Sequence, residues 1–131
     1  MLAASGNYSP PRIIGLLGDA PPDPKIEKAL QRNLKLVSSE HILLSFEVQG
    51  KYLKNLATCL KLMDIEGILV HGKHGQKLLK LCDKIDEAAK KAKSVNVVGI
   101  KGKKLWGSYV DLETKDGQRE AFGKIIKLNH R

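Results

Sequence analysis

Three short apolar runs, Ile13–Leu17, Ile42–Phe46 and Ile68–Val70, each stand ahead of a stretch whose apolar residues recur at helical spacing. Runs of this length, apolar on successive residues, suit strands buried on both faces. A strand followed by a helix, repeated, calls for crossover connections and a largely parallel sheet with helices on both sides. In the first unit Gly18 closes the run, Asp23 is placed to cap a helix and Pro24 takes its first position. Ile26, Ala29, Leu30 and Leu34 then form the buried stripe. The second unit sets Leu53, Leu56, Ala57, Leu60 and Met63 as its stripe. After the third run, Leu78, Leu81, Cys82, Ile85, Ala88, Ala89 and Ala92 mark helical structure with a break near Cys82. Val95–Ile100 and Lys104–Val110 flank Lys101-Gly102-Lys103, the spacing of a β-hairpin, so the sheet is expected to be mixed. Gly117 interrupts the pattern before a short last helix through Ala121, Ile125 and Leu128. The expected fold class is α/β: a three-layer sandwich around a mostly parallel mixed sheet, with the three apolar runs as adjacent inner strands.

A chain of 131 residues holds one such core and not two. Residues 12–131 are expected to form this domain. Residues 1–11, rich in Ser, Asn, Gly and Pro, read as a disordered tail. No apolar run approaches the roughly 20 residues that cross a bilayer, and the first residues lack the pattern of a signal peptide. No membrane association and a cytoplasmic location are therefore expected. Cys59 and Cys82 lack the close spacing of a zinc or redox pair and read as reduced core thiols. The net charge of +9 is concentrated between Lys73 and Lys104, where ten lysines face Asp83, Asp86 and Glu87. Such a block attracts phosphate, so nucleic acid is one conceivable partner. The four arginines and few aromatics of the chain favour a plain solvated face instead.

From Gly67 onward the chain reads Gly67-Ile-Leu-Val-His-Gly-Lys-His-Gly75, then Cys82-Asp83, then Ser94-Val95-Asn96, then Leu105-Trp106-Gly107-Ser108-Tyr109-Val110-Asp111. In order and spacing this resembles the signature of the shikimate dehydrogenases, G-x-N-V-T-x-P-x-K, C-D, A-V-N-T and L-x-G-x-N-T-D. Ile13-Ile14-Gly15-Leu16-Leu17-Gly18 resembles the opening strand of that family. The resemblance covers residues 12 to 111 and implies the fold of the family's N-terminal, substrate-binding domain.

The same resemblance implies a site and shows where this sequence departs from it. In the family a Lys and an Asp flank the substrate hydroxyl that loses its proton as hydride leaves. Asp111 stands at the Asp position, whereas Gly75 stands at the Lys position and offers no proton acceptor. General acid–base assistance is commonly worth about 10²–10⁴ in rate. Asn96 matches the family's second Asn, and His71 and Lys73 replace the Thr and Pro of the signature. The hydroxyls that hold the substrate carboxylate have no counterpart in Asp19-Ala20-Pro21-Pro22-Asp23, where two acids would repel one. The expected ligand-contacting residues are Asn96, Asp111, His71 and Lys73, with Asp111 alone left of the catalytic pair. Lys77 is a further lysine able to reach that space.

The family uses NADP on a second, Rossmann domain. No G-x-G-x-x-G is present and only twenty residues follow Asp111, so no cofactor is expected on this chain. His71 and His74 lack a third ligand, and no metal is expected. Three functions follow. The chain is a stand-alone, catalytically degenerate domain binding a small hydroxy acid or other polar ligand, or a protein, without turnover. Alternatively, it is one part of a split shikimate dehydrogenase whose partner protein carries the Rossmann domain. The third is a basic interaction or RNA-associated module.

Overall fold

The computed structural model describes residues 10–129; the expected tail falls almost wholly outside them. The elements run β1 (Arg12–Gly18), α1 (Pro24–Val37), β2 (His41–Glu47), a 3₁₀ turn (Gly50–Tyr52), α2 (Leu53–Leu60), β3 (Gly67–Val70), α3 (Gly75–Leu81), β4 (Lys84–Ile85), α4 (Glu87–Ala92), β5 (Val97–Lys101), β6 (Lys104–Ser108) and α5 (Lys115–Asn129). They build a six-stranded sheet of order β2-β1-β3-β5-β6-β4. β1 pairs in parallel with β2 and β3, β4 pairs in parallel with β6, and β5 runs antiparallel to both its neighbours. The mixed, mainly parallel α/β sandwich expected from the sequence is the fold observed.

Side-chain alternation along the strands divides the core. Ile14, Leu16, Leu69 and Val97 pack with Leu30 and Leu34 of α1 and with Ala121, Phe122 and Ile125 of α5. Leu17, Ile68 and Val98 turn to the opposite face, against Leu53, Ala57 and Leu60 of α2, Leu78 of α3 and Ala89 of α4. The first helix starts as its residues dictate: the Asp23 carboxylate accepts from the Lys25 N–H, and Pro24 fills the first turn, where no N–H is missed. α1 and α5 are locked together by polar contacts. Asn33 Nδ2 donates to Gln118 Oε1 at 2.6 Å, and Arg119 Nε donates to Asn33 Oδ1 at 3.0 Å. The hairpin turns on Gly102 and Lys103, both with φ near +60°, the two left-handed residues that match the twist of the paired strands.

Five local expectations are corrected. Among the described residues β2 is an edge strand, paired only with β1, and Ile42 and Leu44 on its α2 side are 40% and 47% exposed. The eight-residue α2 covers the neighbouring strands and stops short of that edge. Met63 lies beyond the end of α2 and is 49% exposed. The predicted break near Cys82 is real, but the chain there forms β4, so Ile85 reaches the core from a strand and not from a helix. Cys59 is exposed on α2, and only Cys82 is partly buried, which pushes its thiol pKa up to about 11. Gly117 lies inside α5, which starts at Lys115.

Candidate functional site

The parallel strands β1 and β3 end at Gly18 and Val70, and β5 begins beside the end of β3, where the Val70 N–H donates to the Asn96 carbonyl at 2.9 Å. β6 returns to the same end of the sheet. Between these strand ends and the start of α1 lies a cleft of about 820 Å³, lined by His71, Gly75, Asn96 and Asp111 together with Leu16, Asp23, Val70, Tyr109 and Glu113. Open α/β sheets bind ligands at this end, where loops leave the carboxyl edge.

Each of the four predicted site residues has a definite place. Asn96 holds one backbone residue with both ends of its side-chain amide: Nδ2 donates to the Val110 carbonyl at 2.7 Å, and Oδ1 accepts from the Val110 N–H at 2.9 Å. It clamps the start of β5 to the segment after β6. Asp111 follows that clamp and accepts from the Glu113 N–H through Oδ1 at 3.0 Å. A Cβ on Gly117 would land on the Asp111 carbonyl oxygen, so α5 approaches this loop as closely as a bare backbone permits. The Thr114 hydroxyl accepts from the Gly117 N–H at 2.9 Å and starts the helix there.

His71 packs its imidazole directly over Gly18, where any side chain would collide with the ring. Its Nε2 is buried without a hydrogen-bond partner among the described residues. Burial lowers its pKa below the ordinary value, against the opposing pull of Asp19. Lys73, by contrast, is exposed and does not line the cleft. Lys77 points elsewhere too, with its Nζ 3.1 Å from where a Cβ on Gly50 would sit. His74 is buried and donates from Nε2 to the Val48 carbonyl at 2.6 Å, which ties the start of α3 to the end of β2. Among the described residues no group of three His, Cys, Asp or Glu side chains is placed to hold a metal ion.

Gly75 has a steric reason to be glycine. A Cβ there would meet Ser94 Oγ and lie 2.6 Å from the Val95 carbonyl oxygen, and the Val95 N–H donates back to the Gly75 carbonyl at 3.2 Å. The backbone before β5 therefore sits against α3 where a longer side chain would emerge. Sequence reasoning did not single out Tyr109, Leu112 or Glu113 as cleft residues. The only signal for them was their place in the loop around Asp111.

No protein-family model matches the sequence. Among curated proteins the chain is 31% identical over 106 residues to a shikimate dehydrogenase (NADP(+)) from Clostridium beijerinckii, covering 81% of this chain and 36% of that protein. It is 29% identical over 120 residues to the shikimate dehydrogenase (NADP(+)) of Methanococcus maripaludis, covering 90% of this chain and 42% of the relative. The crystal structure of shikimate dehydrogenase 1 from Peptoclostridium difficile superposes with a TM-score of 0.67 at 23% identity, over 73% of this chain and 36% of that one. The chain thus spans well under half the length of the curated relatives it matches. In sequence and in fold the chain is similar to the shikimate dehydrogenases, over a stretch corresponding to their N-terminal domain.

Proposed function

We propose that this chain is a ligand-binding module of shikimate dehydrogenase fold, which holds a small polar molecule in the cleft and does not turn it over by itself. The observation that carries this reading is the state of the catalytic pair. Asp111 lines the cleft, while position 75 is a glycine whose side-chain space is taken by Ser94 and Val95. Binding survives such a change far better than proton transfer does, because a cleft with apolar walls and a few polar groups binds without a positioned base. Asp111 is the matched polar group that meets the ligand, since the amide of Asn96 is engaged in holding Val110.

A second reading draws on the 36–42% of relatives' length that the chain spans. The remaining share, with its NADP site, would then be supplied by a partner protein carrying a Rossmann domain. Two measurements test the pair of readings. Amide shifts in two-dimensional NMR, with neutral cyclic polyols as probes, are expected around Val70, Asn96 and Val110, weakened in Asp111→Ala. Unmoved cleft amides with every probe would remove the ligand-binding reading. Shikimate-dependent NADPH formation by the purified chain, abolished in Asp111→Asn, would overturn the claim of no turnover.

A further inference from the structure

The cleft carries charge opposite in sign to the chain around it. The protein has a net charge of +9, yet the charged side chains lining the cleft are carboxylates, those of Asp23, Asp111 and Glu113. Among the described residues no lysine or arginine lines it. Among the described residues none of the three forms an ion pair. Asp23 and Asp111 each give one oxygen to a backbone N–H, of Lys25 and of Glu113, which leaves a second oxygen on each without a protein donor. Asp19 adds to the field from beside Gly72, its Oδ1 2.5 Å from where a Cβ on that glycine would lie.

Among the described residues no cationic side chain within the cleft offsets this charge. Burial disfavours the protonated form of His71, so its imidazole is neutral at neutral pH. Its Nε2 is buried over Gly18 without a hydrogen-bond partner among the described residues. Leu16, Leu30 and Val70 give the cleft an apolar wall, while Asp23, Asp111 and Glu113 stand exposed around it. Tyr109, 42% exposed at the cleft, adds an aromatic face of the kind that attracts cations.

Resting on the ligand-binding reading above, we propose that the cleft selects a small organic cation, an amine on a ring or short carbon frame, and rejects carboxylates. A positive nitrogen finds acceptors on Asp23, Asp111 and Glu113 while its carbon frame lies against the leucines and Val70. A carboxylate placed there meets like charges and, among the described residues, no cationic side chain to compensate, the arrangement by which sites exclude wrong ligands.

Three probes of one shape and different charge test this: cyclohexylamine, cyclohexanol and cyclohexanecarboxylate, followed by the amide shifts of Val70, Asn96 and Val110. The amine is expected to bind at least about tenfold more tightly than the carboxylate, the scale that like-charge exclusion sets. The double variant Asp111→Asn, Glu113→Gln is expected to bring the two together. High salt applied to the unaltered protein should weaken the amine and leave cyclohexanol unchanged, which keeps the test independent of how the variant folds. Carboxylate binding equal to or tighter than amine binding overturns the cation preference and leaves the cleft as a binding site. Amine binding indifferent to both salt and the double variant overturns it as well. Cleft amides unmoved by all three probes remove the binding site itself, and the preference with it.

Discussion

Gly75 and Gly117 show that single positions around the cleft are fixed by space. Both sit in first turns of helices, where Ala would ordinarily be preferred by about 1 kcal/mol. At Gly75 that gain is outweighed, because the added methyl meets a backbone carbonyl oxygen that cannot swing aside. Gly75→Ala is expected to destabilise the fold by about 1–3 kcal/mol in urea titration, the usual cost of forcing atoms into a filled space. A neutral or stabilising result would show that Ser94 and Val95 yield. Gly75→Lys should not create a dehydrogenase for the same reason. The two thiols differ in reach: iodoacetamide at pH 8, followed by mass spectrometry, should label exposed Cys59 well before Cys82, whose pKa is pushed up to about 11. His71 ties stability to pH. Its folded pKa lies below the ordinary value, so protons favour the unfolded chain. The corresponding stability is whole above about pH 6.5 and is lost as the pH falls through the folded value. His71→Gln should flatten urea midpoints measured between pH 7 and pH 5.

Among the elements, those whose character is set by their own residues were legible and those set by neighbours were not. β3 is buried at all four residues, as its apolar run requires, and the hairpin turns where Lys101-Gly102-Lys103 places it. The run in β2 looks the same locally, yet whether a strand is inner or edge depends on which strands flank it, and β1 takes the central place. β4 has two residues and exists only through its pairing with β6. Gly117 read as a breaker because its reason for being glycine, the carbonyl of Asp111, lies six residues away across a turn. Of the four residues to which the family's motif spacing pointed, Asn96, Asp111 and His71 line the cleft, and Lys73 is exposed and does not. Motif spacing fixes where a backbone passes and does not fix where a long side chain points. The clamp between β5 and the segment after β6 was invisible in the sequence. Asn96→Ala removes both its hydrogen bonds at once and should cost about 1–3 kcal/mol while loosening the Asp111 loop. Leu60→Ala, at a fully buried position of α2, should cost about 2–5 kcal/mol.

At the scale of the whole molecule, charge and sheet shape act against each other. Among the described residues no strand pairs with the outer border of β2, and Ile42 and Leu44 are exposed beside it. A border of that kind invites strand addition by another copy, the first step toward stacked, insoluble assemblies. What keeps copies apart is the surplus of lysines, since a net charge of +9 makes each molecule repel the next until salt screens it. Light scattering during a salt ramp should therefore report growing particles, and Leu44→Lys should delay their onset. The colloidal lifetime of this protein thus hangs on an unfinished border and a coat of like charge.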